Sequence, residues 1–502
     1  MDLTPYSTAK PLMGPLASWL SPEDAQRIQS YAIYESIYRN VPDAFKLVQR
    51  GDESNPIYLP SAKTLIEAKN RFLAKRWTFA MQPSMGSDSD RAALTLALDQ
   101  LFRREMMWSK FNTQKRWGLV RGDQVWHIIG NELAPEGHRI SVYEVDPAAY
   151  FPIYDQWNPD KIYGCHLVDP VVNAAGKTVI KRQTYRKLDT GTISYELSWW
   201  ETGAWDDRDD TVVLKKVSGA DIPAGDANKP ITYELPPDIT ALPVYHIKNQ
   251  RTPTAPYGTS ELAGYESIIA GINQSISDED LALALEGLGL YWTNSGPPVD
   301  EEGNETNWKL GPGWVVEVDD GTTFGRVAGV TDIKAHQGHR SDMHGAMLEA
   351  AGVPDIAVGK VDVQVAESGI ALAFQMGPLL AGNEEKEGEL LAVMDHMLYD
   401  LTTMWLPAFE GLTSPARAVS VVDDPLPLNR KATLDEVIAM LSTTPPLISA
   451  EYARTILSEK LGYDFPDEMA TAVVTEAAAI AEAKNPDPFA ARVAYELGEV
   501  QA

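Results

Sequence analysis

Residues 350–380 read AAGVPDIAVGKVDVQVAESGIALAFQMGPLL, and how this stretch is parsed decides the fold. Upstream of it Met343, Met347 and Leu348 recur at helical spacing. Gly352 followed by Pro354 ends that run, because glycine accepts a left-handed cap and proline donates no backbone hydrogen bond. One helix therefore stops near Ala351. Downstream, Ser368 is a good capping residue ahead of Ile370, Leu372, Ala373, Phe374 and Met376, so a second helix starts there. Between the two, Val353 to Glu367 alternates small apolar and charged residues, with too few large side chains to anchor a core. A loop of this length inside a fold is functional or mobile.

Working outward, the second helix extends toward Phe409, with Leu390, Met394, Met397, Leu401 and Met404 in period. Gly377-Pro378 falls inside it, and the lost donor and crowded turn predict a kink. The first helix spans 332–351 and follows the short strand-like runs LYWTN, GWVVEV and TTFGRVAG, which form a small β unit over 288–330. Before that unit, Thr259 or Ser260 opens a helix whose apolar face is Leu262, Tyr265, Ile269, Ile272 and Ile276, with Gly264 and Gly271 allowing a close neighbour.

Nearer the start, Ser21-Pro22-Glu23-Asp24 is a strong helix opening. The helix continues through Ile28, Tyr31, Tyr34 and Tyr38, an aromatic stripe that reads as packing rather than a recognition surface. Further helices are expected over Ser61–Lys75 and Asp88–Gly118. Val120 to Lys248 turns to strand patterns, with a hairpin at Asp189-Thr190-Gly191. From Leu428 the chain is helical again: Thr433-Leu434-Asp435-Glu436 reads as a capping box, Ser449 opens a helix that stops at Gly462, and Asp467–Lys484 is Ala-rich. The class is α+β.

Acidic residues number 71 against 43 basic ones, a net charge of −28. That balance disfavours wrapping of nucleic acid on a generally basic surface, yet does not exclude DNA that must slide past without sticking. The single cysteine, Cys165, excludes an intramolecular disulfide and a cysteine metal site, which points to a reducing compartment. The opening MDLTPYSTAKPLMGPLASWL has no basic region followed by an apolar one, and no run of about eighteen apolar residues occurs, so a soluble, non-secreted, non-membrane protein is expected.

Two motifs invite enzymatic readings. Gly176-Lys177-Thr178 resembles the end of a phosphate loop, but Val171 stands where the first glycine belongs, and the strand-like VIKRQTYRK follows where a helix is needed. His336, His339 and His344 share one helix at spacings of three and five, without the His-Glu-x-x-His pattern of a helical zinc site. With Lys334 and Arg340 they make that helix locally basic, which is either a solvated face or a functional one. No nucleophile elbow or singled-out carboxylate pair is present, so neither catalysis nor a cofactor is expected.

The order of elements resembles the portal proteins of tailed bacteriophages, the siphophage-type head-to-tail connectors. It runs helix, small β insertion, helix ending in Gly352-Val353-Pro354, long loop, Ser368-Gly369-Ile370-Ala371-Leu372, kinked long helix, helical tail. The tyrosine-bearing first helix and LPSAKTLIEAKNRFLAKRW are similar to that family's opening. The resemblance implies a portal fold. Its parts are N-terminal helices and an α/β wing over 1–255, stem helices at 256–287 and 332–352, and a β-rich clip at 288–331. A channel loop at 353–368, a long kinked wing helix at 369–410, and a linker with a helical crown over 411–502 complete it.

It further implies a ring, usually of twelve subunits, at one capsid vertex of the virion, assembled in the host cytoplasm. Double-stranded DNA would pass through it in packaging and ejection. Expected partners are the large terminase, which supplies the energy, a head-tail adaptor, the major capsid protein and scaffold. The expected DNA-facing residues are Lys334, His336, His339, Arg340, His344 and Lys360, and the channel loop is Val353, Pro354, Asp355, Val358, Lys360, Asp362, Val363 and Glu367. The rival readings are another virion structural protein, a capsid or tail component, and a nucleotide- or metal-dependent enzyme.

Overall fold

Ser21 begins the first helix as its sequence dictates: its Oγ accepts the Asp24 N–H at 3.1 Å, and α1 runs Pro22–Tyr38. The computed structural model describes residues 21–48, 56–155, 157–172, 176, 178–201, 215–216, 232–288, 290–298, 305–306, 321–327, 334–360, 369–423, 430–443 and 447–461. It divides into two units, Met1–Pro425 and Leu426–Ala502. In the first unit α1 is followed by α2 (Ser61–Phe72), β1 (Thr78–Met81), α3 (Asp88–Arg104) and α4 (Met107–Arg121). Tyr31 and Tyr38 are buried and Tyr34 half-buried, so the stripe is packing.

The single helix expected over Asp88–Gly118 is in fact two. Met106 takes φ +50, a left-handed conformation that breaks the helix between good helix formers. Ser87 and Asp90 form a reciprocal capping box at the start of α3.

The strand-rich stretch supplies β2 (Asp123–Gly130), β3 (Ile140–Val145), β4 (Tyr150–Asp155), β5 (Asn158–Val172), β6 (Thr178–Lys187), β7 (Ile193–Glu201), β8 (Lys215–Lys216), β9 (Thr232–Glu234) and β10 (Val244–Lys248). One antiparallel sheet runs β4-β5-β6-β7-β8, with β9 also on β7; a second runs β10-β2-β3. In the larger sheet Cys165, Leu167, Val179, Tyr185, Ile193, Tyr195, Leu197 and Trp199 alternate onto one face and are buried. The β6–β7 hairpin turns at Asp189-Thr190-Gly191 as expected, with Gly191 at φ +89 and the Gly191 N–H donating to the Leu188 carbonyl.

The next helix, α5 (Glu266–Leu288), starts six residues later than the expected Ser260. Residues 260–261 are used laterally: Ser260 Oγ donates to the Val120 carbonyl, and the Glu261 N–H donates to the Leu119 carbonyl, both at the end of α4. Gly264 then turns at φ +88 with open space where a Cβ would stand, so it serves a turn and not a close neighbour. β11 (Leu290–Thr293) and β12 (Phe324–Val327) pair antiparallel, which realises the small β unit; GWVVEV lies outside the described residues.

After α6 (Lys334–Ala350) comes α7 (Gly369–Asp400), with Pro378 inside it, continued by a π-helical stretch Leu401–Glu410 that contains Pro407 and ends at Gly411, φ +69. Leu390, Met394, Met397 and Leu401 are buried on one face. β13 (Ala418–Val421) returns to pair with β1, a long-range closure that no local pattern signals.

In the second unit α8 (Arg430–Ser442) begins three residues before Thr433, so the Thr433–Glu436 box sits inside the helix and is not its cap. Ser449 does cap α9 (Ala450–Leu461), its Oγ accepting the Tyr452 N–H at 3.1 Å. The Ala-rich 467–484 and the Ser368 cap lie outside the described residues.

Buried polar groups tie the first unit together. The Glu261 carboxylate is met by Lys69 of α2 at 2.5 Å and by Lys386 of α7 at 2.6 Å, and it accepts from Asn249 Nδ2 at 2.9 Å. Asp123 accepts from Tyr31 Oη, from His246 Nε2 at 2.6 Å and from the Gly258 N–H at 2.7 Å. Burial works against the Glu261 carboxylate, but Lys69 and Lys386 outweigh it and hold its pKa down to about 2. A depressed carboxylate contributes stability that is full above its unfolded value of 4.5 and is lost as pH falls toward 2. Glu261→Gln, which strands two buried ammonium groups, is therefore expected to cost about 3–5 kcal/mol. It should also abolish the part of acid destabilisation between pH 4.5 and 2 that belongs to this group. Denaturant titrations of both proteins across that range check it.

Candidate functional site

The expected site residues sit on α6 and on the turn that leaves it. α5 and α6 pair antiparallel, as two contacts show. A Cβ at Gly271 would lie 3.6 Å from Met343 Sδ, ordinary packing distance, so Gly271 does face a neighbour. Farther along α5, Arg340 Nη1 forms an ion pair with the buried Glu279.

Burial along the pair is graded. Ile269, Ile272, Met347 and Leu348 are fully buried at one end, whereas Lys334 to His339 and Leu283 are exposed at the other.

α5 is also gripped from the side. Val48 N–H donates to Gln274 Oε1 at 2.7 Å, Ile57 N–H to Ser277 Oγ at 2.9 Å and Leu59 N–H to Asn273 Oδ1 at 2.8 Å. Three polar side chains thus stand in for a strand edge. Reading the helix for its apolar face misses them, although Asn273, Gln274 and Ser277 share one side at helical spacing.

Of the six expected DNA-facing residues, Lys334, His336 and His339 are exposed on the first turns of α6. Arg340 is not available in the same sense, because its guanidinium is engaged by Glu279 and leaving that carboxylate buried without it is costly. His344 is half-buried; burial first, and Lys360 beside it, push its pKa below the usual value against the pull of Asp355. It is therefore neutral at pH 7 and offers a phosphate no charge. Lys360 pairs with Asp355 at 3.1 Å, both well exposed, and surface pairs of this kind are weak enough to exchange partners.

The helix stop is as expected. Gly352 takes φ +67, its N–H donates to the Glu349 carbonyl at 3.0 Å, and the Val353 N–H donates to the Leu348 carbonyl at 2.8 Å, the double closure of a Schellman cap.

The segment after the cap is not a bare loop. Asp355–Val358 forms one 3₁₀ turn ended by Gly359 at φ +93, and Val353 and Ala357 are buried. Ala357 and Val358 close one wall of a cavity of about 400 Å³ whose other wall is Pro60, Thr64, Ala68 and Arg71 at α2. Val353, Pro354, Asp355 and Val358 therefore belong to a turn docked through the buried Val353 and Ala357, with the cavity left open beside it. Asp362, Val363 and Glu367 lie outside the described residues.

The enzymatic motifs gain no geometry. Thr178 opens strand β6, where a phosphate loop requires a helix, and Lys177 lies outside the described residues. Among the described residues no three His, Cys, Asp or Glu side chains converge as metal ligands, and no helix is long and apolar enough to cross a membrane. Cys165 is buried, and burial pushes its thiol far up, so it is unreactive.

No family model and no curated protein matches the chain. Among solved structures it is similar to a chain in the virion of a native gene transfer agent particle, at 11% identity over 89% of this chain and 98% of that one, TM-score 0.44. The neck of the native particle computed with C12 symmetry gives 12% identity over 84% and 98%, TM-score 0.42. The neck of the empty particle computed with C6 symmetry gives 13% over 79% and 90%, TM-score 0.40. Similarity this low fixes neither fold nor role.

The docked turn is directly testable. Ala357→Asp buries an unpaired carboxylate against α2 and should release residues 353–360 while leaving the distant sheets intact. Hydrogen-exchange mass spectrometry should show protection lost there and in residues 60–71, with exchange of β5 to β7 unchanged.

Proposed function

We propose that this chain is the subunit of a portal-type ring, with a channel through which double-stranded DNA is packaged and ejected. The observation that carries the reading is the antiparallel pair α5 and α6, with the paired strands β11 and β12 between them in sequence, the Gly352 cap closing α6 and the long helix α7 following. At one end of this pair every residue from Lys334 to His339 is exposed. Neighbouring copies around a ring cover that surface.

In this assignment α5 and α6 are the stem and the β11–β12 pair belongs to the clip, which meets a terminase motor and later a head-tail adaptor. The α/β body with α7 is the wing, facing capsid protein and scaffold, and α8 and α9 belong to the crown. The turn at 355–358 is the root of the channel loop, to which Asp362, Val363 and Glu367 are assigned from the sequence. The net charge of −28 per subunit makes an acidic wall on which phosphates find few partners, so DNA slides. Lys334 and Lys360, with His336 and His339, are the guiding contacts; Arg340 and His344 hold the stem and its junction with the turn. Translocation energy comes from the motor.

The division between guiding and structural bases gives the test. Lys334→Gln with Lys360→Gln should leave assembly intact and lower the DNA retained by particles severalfold. Arg340→Gln should instead impair assembly, because it unpairs Glu279 between the stem helices. Unchanged DNA content in particles carrying the double variant would remove Lys334 and Lys360 from the channel.

A further inference from the structure

The connection from α2 to β1 carries unusual backbone. Ala74 takes φ +39 and Arg76 φ +92, left-handed values that L residues with a Cβ rarely adopt, and two occur within three residues. Neither is glycine, so the conformation persists only because the surroundings impose it. Ala74 is fully buried, and Trp77 just beyond is locked by stacking on Phe111 at 5.3 Å and packing on Phe102 at 5.0 Å.

Two charged side chains from other helices hold the turn. Lys115 of α4 donates from Nζ to the Leu73 carbonyl at 2.6 Å and lies 3.4 Å from that of Ala74. The Ala74 N–H donates to Glu387 Oε2 of α7 at 3.0 Å. Beside Glu387 and one turn before it on α7, Lys386 and Asn383 grip the same end of α2, through Glu261 and through the Lys69 carbonyl at 3.2 Å.

We propose that residues 73–77 are a strained latch, closed by Lys115 and Glu387, which opens when α7 is displaced along α2 and so couples the seating of the long helix to the order of this turn. The latch stands on this geometry alone and does not depend on the portal reading. Displacing α7 withdraws Glu387 from the Ala74 N–H and leaves Lys115 as the remaining charged hold on the two left-handed residues.

The charge on Lys115 sets the balance. It faces Glu387 on α7, Glu67 on α2, Arg116 on its own helix, and the ring of Phe111 at 5.7 Å. Burial, and then Arg116, push its pKa down to about 8 against the two carboxylates. In an open, solvated turn the pKa returns toward 10.5. The open form therefore binds the proton more tightly, so opening is easiest below pH 8 and is opposed as pH rises above it.

Hydrogen exchange of the full chain, read on peptides covering 70–80 and corrected for intrinsic rates, tests the proposal. Glu387→Ala should speed exchange of these amides about tenfold, and Arg76→Gly, which relieves strain in the closed turn, should slow it severalfold. Wild-type opening should decline from pH 7 to pH 9, and Lys115→Met should erase that decline. Unchanged exchange in Glu387→Ala would overturn the coupling to α7. Faster exchange in folded Arg76→Gly would overturn the strain, and this stabilising variant decides the matter even if Glu387→Ala does not fold.

Discussion

The first unit depends on one buried carboxylate. Glu261 sits where three pieces of chain with no sequence proximity converge: Lys69 on α2, Lys386 on α7, and the Asn249 amide at the end of β10. A single buried ion pair rarely adds net stability, because desolvation consumes the Coulombic gain. Here one carboxylate serves two ammonium groups and the amides of Asn249 and Gln250, so its lone pairs are filled and the cost of burying it is shared. The arrangement specifies position more than it adds stability, since Lys386 meets Glu261 while Asn383, one turn before it, meets the Lys69 carbonyl of α2.

That constraint propagates. With α7 fixed on α2, Glu387 reaches Ala74, and the 355–358 turn docks against the same helix α2. The residues at 260–261 bond to the end of α4, so α5 leaves the body at a defined place with its polar side chains bonded to the backbone of Val48, Ile57 and Leu59. The α5–α6 pair is thus tied to the body at its base, while residues 334–339 at its other end are exposed.

Much of this is legible in the sequence wherever a local group makes the signal. Ser21 and Ser449 cap helices because their hydroxyls reach an amide three residues on, and Gly352 ends α6 because only a left-handed residue closes that cap. The Asp189-Thr190-Gly191 hairpin obeys the same logic. The hidden part depends on distance. Arg340 reads as a free base until Glu279, sixty-one residues away, is seen beside it. β1 shows no sign of its partner β13, and Met106 breaks a helix with no glycine or proline to announce it. A count of large side chains makes the loop after Gly352 look unanchored, yet the small Val353 and Ala357 are buried and anchor its first turn. The portal assignment itself rests on element order, which survives errors of this kind.

Single-particle electron microscopy of the purified protein, with class averages viewed along the particle axis, tests the central claim most directly. The account predicts a closed ring of about twelve copies around an open channel wide enough for duplex DNA, with α5 and α6 contributing to the contacts between neighbours. Monomers, or small closed oligomers without an axial channel, under conditions where the chain is folded, would contradict it.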